Sequence, residues 1–174
     1  MMNNATNDNK IRLTVTTAML AAIVCVATMA VRIPSPMDGY MNLGDAFVLL
    51  SGFILGPVYG GIAGGLGSCI ADLIGYPIYA PGTFVIKFLM AMCAGIAYKK
   101  SQGFASQLVG SVISEVIMIA GYFLYAALLM GKSWAAAASI PGNIAQGVVG
   151  IVAALAIMAV LKKNKALGNI VGLR

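Results

Sequence analysis

Ionisable side chains are scarce in this chain of 174 residues, at 11 Lys and Arg and 5 Asp and Glu. Where they sit is therefore informative. Asp72, Lys87 and Glu115 each interrupt an apolar run, and Asp45 stands at the start of another. An ionisable group inside a bilayer is costly, and marks a functional position by default. Asp72 and Lys87 lie at similar depths below the same end of consecutive segments, so antiparallel neighbours would join them as a structural ion pair. Glu115 falls near the middle of a later segment, at the floor of any outward-opening pocket. It pairs with Lys87, carries a proton, meets a cationic or hydrogen-bonding ligand, or is satisfied by hydroxyls. Asp45 occupies a first helical turn, where the helix dipole alone favours a carboxylate.

A second set is neutral. Asn143, Gln146, Gly147 and Gly150 follow i, i+3, i+4, i+7 spacing and share one helix face. Two amides facing lipid would be expensive, so this face points inward. Amides both donate and accept, which suits a heteroaromatic ring carrying mixed polar groups. Tyr40, Tyr76, Tyr79, Phe84, Tyr122 and Tyr125 are available to stack on such a ring; each taken singly also fits an interfacial aromatic belt. The chain has no histidine, which argues against a zinc site or a His-based triad. Its three cysteines, Cys25, Cys69 and Cys93, lie in separate apolar runs and read as small buried hydrophobes. No metal site and no catalytic residue are expected.

The elements that position these residues are membrane helices. Hydrophobic residues make up 60% of the chain and charged ones 9%, against about 25% charged in a soluble domain. Apolar runs of about 20 residues recur along it, as a polytopic protein requires. The net charge of +6 flanks these runs as topology signals do, and does not mark a nucleic-acid surface. Helix 1 covers 13–31; Ala18 and Ala22, with Ala21 and Cys25 beside them, form a small-residue face suited to close helix packing. Residues 32–43 read as a loop. A short helix 2 spans about 44–55, and Gly56-Pro57 turns the chain into helix 3. There Gly60, Gly64, Ser68 and Asp72 form one stripe, with Gly61 and Gly65 next to it. Helix 4 begins at Pro81, helix 5 covers about 105–130, GKSWA (131–135) is a short loop, and helix 6 runs from Pro141 to Leu161.

The expected fold is all-α: a polytopic six-transmembrane-helix bundle. Residues 1–9 form a disordered tail, 10–163 the membrane domain and 164–174 a basic tail. Six crossings put both termini on one side, with Lys10, Arg12, Lys99, Lys100, Lys162, Lys163, Lys165 and Arg174. Arg32 and Lys132 alone fall on the other side, which places both termini in the cytoplasm.

The segments MNLGDAFVLLSGFILGPVYGGIAGGLGSCIADLIGYPIYAPGTFVIK, SEVIMIAGYFLYAALL and PGNIAQGVVG carry a family resemblance. They resemble the S-components of energy-coupling factor (ECF) vitamin transporters, in the hydroxymethylpyrimidine/pyridoxine or riboflavin-type branch, over about residues 13–161. The resemblance implies a multi-pass prokaryotic cell-membrane protein that captures a small vitamin from outside. It implies docking on a transmembrane T-component driven by two cytoplasmic ATPase subunits, with Ala18 and Ala22 on the docking face. It also implies a pocket in the outer halves of helices 4 to 6, capped by outer loops. A hydroxymethylpyrimidine- or pyridoxine-like ring suits one carboxylate, one lysine and two amides; riboflavin, which wants more stacking surface, is the alternative. The expected substrate-binding set is Asn143, Gln146, Glu115, Lys87, Tyr122, Tyr79, Phe84 and Tyr40. The chain has no GxxxxGK[ST] phosphate loop, so ATP would be used only by partners and no cofactor is expected here. The rival classes are a self-sufficient proton-coupled transporter relaying through Asp72, Lys87 and Glu115, a small intramembrane enzyme, and a purely structural membrane subunit.

Overall fold

The computed structural model describes residues 2–35 and 39–164, with side chains from residue 8 onward. The order is α1 (Met2–Ala30), β1 (Ile33–Ser35), β2 (Gly39–Met41), α2 (Gly44–Gly75), α3 (Ala80–Lys100), α4 (Phe104–Leu124) and α5 (Ile140–Lys163). A π-helical turn, Tyr125–Leu129, extends α4, and a 3₁₀ segment, Ser133–Ser139, leads into α5. Five helical spans are long and apolar enough to cross a membrane: Asp8–Ala30, Gly44–Gly75, Ala80–Lys100, Phe104–Leu129 and Ser133–Lys163.

α2 is one continuous helix in name only. Gly56 has φ +75°, a left-handed conformation natural only to glycine, and Pro57 follows it. The two halves fold back on each other: Ser51 Oγ donates to the carbonyl of Gly60 at 2.9 Å. A Cβ on Gly60 would lie 2.6 Å from the Gly52 Cα, and one on Gly64 would meet Val48 at 3.1 Å. A straight helix holds residues eight apart about 12 Å from each other. The glycine stripe is thus the seam of a helical hairpin, closed by backbone-to-backbone approach. α3 packs along the same seam, with Phe84 over Gly65 and Phe88 over Gly61.

Three expectations need correction at the element level. Residues 2–9 continue α1 as helix, where a disordered tail was expected. Residues 32–43 are not simply a loop. They include an antiparallel strand pair with Ile33 opposite Met41, Pro34 opposite Tyr40 and Ser35 opposite Gly39; β-branched and aromatic residues suit such pairing. The expected loop before helix 6 is a 3₁₀ segment. Of the basic C-terminal tail, 165–174 lie outside the described residues.

The bundle has two distinct ends. At one, the β1–β2 hairpin, the 75–80 connection, the π turn and the start of α5 converge: Arg32 meets Gly75, and Gly142 meets Met41 and Ser35. At the other end, Lys99 and Lys100 close α3 while Lys162 and Lys163 close α5. Lys162 there donates to the Gln102 carbonyl at 2.8 Å and lies over the Tyr98 ring at 5.0 Å. Between the ends, Leu49, Leu50, Phe53, Ala94, Ala154 and Met158 form a buried core.

Candidate functional site beneath the hairpin

A cavity of about 580 Å³, open mouth included, lies under the β1–β2 hairpin. Every helix contributes to its wall, among them Thr28 of α1, Ser68 and Asp72 of α2, Lys87 of α3, Tyr122 of α4 and Asn143 of α5.

Asp72 receives hydrogen bonds from two elements. Tyr40 of β2 donates to its Oδ1, and Thr83 Oγ1 of α3 donates to Oδ2 at 2.5 Å. With the Thr83 proton used, the 3.0 Å contact to the Tyr122 hydroxyl leaves Tyr122 as donor. The chain Tyr122–Thr83–Asp72–Tyr40 therefore ties α4, α3 and α2 to the hairpin. Burial first, then the Asp72 carboxylate, push the Tyr40 hydroxyl well above the ordinary tyrosine pKa, so it remains a donor. Tyr40 also stacks on Tyr76 at 4.7 Å between ring centroids, with the Arg32 guanidinium 5.0 Å above its ring. Arg32 in turn donates to the Ala71 carbonyl at 3.0 Å and lies 6.0 Å from the Tyr76 ring, so it ties the hairpin to the end of α2.

A second knot lies deeper. The Lys87 ammonium pairs with Asp45 Oδ1, and both side chains are buried. Gln146 Nε2 donates to the other oxygen, Asp45 Oδ2, at 2.6 Å. Gln146 Oε1 accepts the backbone N–H of Asn42 at 2.8 Å, just past β2. Charge-assisted bonds of this kind are the strong ones. Asp45 thus serves α3 and α5 together, and Gln146 carries the connection up to the hairpin.

Of the residues expected at a binding site, Asn143, Gln146, Lys87, Tyr122, Tyr79 and Tyr40 line the cavity. Phe84 does not; it packs on Gly65 and lies 6.2 Å from Phe88. Glu115 is buried away from the lining, its oxygens 3.1–3.2 Å from where Cβ atoms on Gly147 and Gly150 would stand. The expected Asp72–Lys87 ion pair is corrected: Lys87 takes Asp45, and Asp72 is served by neutral hydroxyls. Sequence reasoning missed Thr28, Ser35, Asn42, Ser68, Thr83 and Ser139, which also line the cavity. A serine or threonine in an apolar helix usually satisfies itself on the preceding turn, so its type gave no signal.

Residues 8–163 match the family model described as the ECF-type riboflavin transporter, S component. A Pyrococcus woesei protein described as "Uncharacterized protein in gap 3'region" is 40% identical over 142 residues, covering 81% of this chain and 95% of the relative. The fold is similar to a solved structure described as "Structure and mechanism of the S component of a bacterial ECF transporter". The TM-score is 0.71 at 24% identity, with 90% of this chain and 99% of the other covered. On the family match across nearly its whole described length, the chain belongs to the ECF-type riboflavin transporter S components.

Proposed function

We propose that the protein captures riboflavin, or a closely related vitamin with a polar aromatic ring, in the cavity beneath the hairpin. The observation that carries this reading is the combination lining one cavity: the Tyr79 and Tyr122 phenols, the Asn143 amide and a row of hydroxyls. Stacking surface and mixed donors and acceptors suit a flavin, and the riboflavin-type family favours it over the smaller hydroxymethylpyrimidine and pyridoxine rings. Catalysis is no part of the reading. Uptake is driven by ATP hydrolysis in partners: a transmembrane T-component and two cytoplasmic ATPase subunits. The hairpin end faces outward and the lysine-rich end faces the cytoplasm of a prokaryotic cell. This orientation is supported by Lys99, Lys100, Lys162 and Lys163 at one end against Arg32 and Lys132 toward the other. The two halves of α2, counted separately, give six membrane segments and bring the termini to one side.

The test is a titration of the detergent-solubilised protein by quenching of intrinsic flavin fluorescence, with pyridoxine and hydroxymethylpyrimidine as competitors. Saturable quenching that neither competitor reverses is the expected result. Displacement by either small ring at equal or lower concentration would replace riboflavin as the substrate. Uptake by this chain alone, collapsed by an uncoupler, would favour the self-sufficient transporter.

A further inference from the structure

Three cavity-lining hydroxyl groups have no hydrogen-bond partner among the described residues: Thr28 Oγ1, Ser35 Oγ and Ser68 Oγ. Thr28 is 3% exposed and Ser68 1%. Ser111 apart, they do not behave like the other buried or helical hydroxyls among the described residues. On α1, Thr14, Thr16 and Thr17 each turn back to the carbonyl four residues earlier, at 3.0, 2.8 and 2.8 Å. Thr28, on the same helix, does not; its Oγ1 occupies the space left by the absent side chain of Gly44. Ser51 and Ser114 each find two carbonyls, at 2.7–2.9 Å, while Ser68 finds none. A buried hydroxyl without a partner costs free energy, so it is retained where something else completes it.

We propose that Thr28, Ser35 and Ser68 form a subsite that reads the polyhydroxylated chain of the ligand. The proposal rests on the flavin reading above and adds how the site distinguishes riboflavin from a bare flavin ring. Each hydroxyl both donates and accepts, and a linear polyol offers the same pair of functions at successive carbons. Three groups from α1, β1 and α2 match a chain bearing several hydroxyls, whereas a ring with one polar edge would leave most of them unpaired. Binding satisfies groups that the empty protein cannot, and the gain is specific to ligands carrying the chain.

The experiment compares riboflavin with lumiflavin, which has the same ring and a methyl in place of the polyol, by fluorescence quenching on the purified full chain. The native protein is expected to prefer riboflavin. Thr28→Val, Ser35→Ala and Ser68→Ala should each weaken riboflavin by roughly threefold to tenfold, the value of one neutral hydrogen bond, and leave lumiflavin unchanged. Thr28→Ser, which keeps the hydroxyl, should restore the preference. Ser111→Ala serves as control, because Ser111 Oγ is also unpartnered but lies off the cavity. If the variants weaken both flavins equally, these hydroxyls are structural and the subsite is wrong. If flavins bind and the variants change nothing, the subsite alone falls. If the native protein binds neither flavin, the flavin reading falls and takes the subsite with it.

Discussion

Lys87 of α3 pairs with Asp45, 42 residues earlier at the start of α2, and not with Asp72, which is closer in sequence. The pair is fully enclosed, with Asp45 at 0% and Lys87 at 2% exposure. Removing one partner from such a pair leaves an uncompensated buried charge, which costs about 3–5 kcal/mol. Asp45→Ala and Lys87→Ala should each lower the thermal unfolding temperature in detergent substantially. The double Asp45→Leu/Lys87→Met variant should lose clearly less than the two single losses combined. Additive losses would mean that the two residues act independently and that the pair contributes nothing as a unit.

How this pairing escaped the sequence is instructive. Hydropathy gives depth along a helix, and Asp72 and Lys87 do lie near the same end, but depth says nothing about which way each side chain faces. The turn at Gly56 was legible from Gly56-Pro57. What was not legible is that the fold-back would leave Asp45 between α3 and α5 rather than acting as a helix-terminal charge. By contrast, the face shared by Asn143, Gln146, Gly147 and Gly150 was readable from spacing alone, and all four are buried. The hairpin was hidden because strands of three residues are too short to show alternation. Phe84 was misplaced because an aromatic covering a glycine seam and one facing a ligand have the same sequence appearance.

Tyr40 is one of the points at which the hairpin is fastened to the membrane helices. Tyr40→Phe keeps the stack on Tyr76 and removes only the bond to Asp72. A hydrogen bond to a charged group is worth about 1.5–3 kcal/mol, so the ligand off-rate should rise by roughly tenfold or more, measured by stopped-flow fluorescence. An unchanged off-rate would show that the Tyr40–Asp72 bond does not restrain the hairpin. The pH dependence follows from the raised Tyr40 pKa. Below about pH 10, the ordinary tyrosine value, folded and unfolded chains both keep the proton and this group contributes no slope. Above it the unfolded chain releases the proton first, so stability falls as pH rises. Tyr40→Phe should reduce that alkaline fall; an identical alkaline profile would remove Tyr40 as its source.

Asn143 and Gln146 share a face but should fail differently. Asn143 lines the cavity, whereas both ends of the Gln146 amide are used by Asn42 and Asp45. Asn143→Ala should weaken ligand binding with little change in unfolding temperature. Gln146→Ala should weaken binding and also destabilise the protein by about 1–3 kcal/mol, since it leaves a buried carboxylate oxygen and the Asn42 N–H without their partner. Calorimetry and thermal unfolding on both variants separate the two. Equal destabilisation would assign Asn143 to the scaffold as well.

The small residues of α1 differ in exposure. Ala21 is taken up within the chain: a Cβ on Gly67 would stand 2.3 Å from its carbonyl oxygen. Ala18 and Ala22 are exposed, and under the proposed function they are where the partner helix of a T-component would pack. Ala18→Trp should abolish uptake in cells that supply the T-component and ATPases while leaving vitamin binding by the isolated protein intact. Surviving uptake would move the docking face away from these alanines.

Glu115 is the one intramembrane carboxylate whose oxygens have no hydrogen-bond partner among the described residues. It is wedged against the α5 backbone at Gly147 and Gly150, and the space at Gly150 is bounded by both Glu115 Oε1 and the Asp45 Cβ, at 3.2 and 3.0 Å. This second carboxyl group stands close to Asp45 and lies off the cavity lining. Glu115→Gln keeps the volume and removes the ionisable group. It should leave vitamin affinity within about twofold and keep or raise the unfolding temperature, because the amide keeps the shape and cannot place a second charge beside Asp45. A tenfold loss of affinity would return Glu115 to the binding site. A lower unfolding temperature would mean that the carboxylate contributes to the Asp45–Lys87 knot rather than opposing it. Gly150→Ala provides the steric counterpart: the added methyl should destabilise the native protein, and Glu115→Ala, by vacating the space, should recover part of that loss in the double variant.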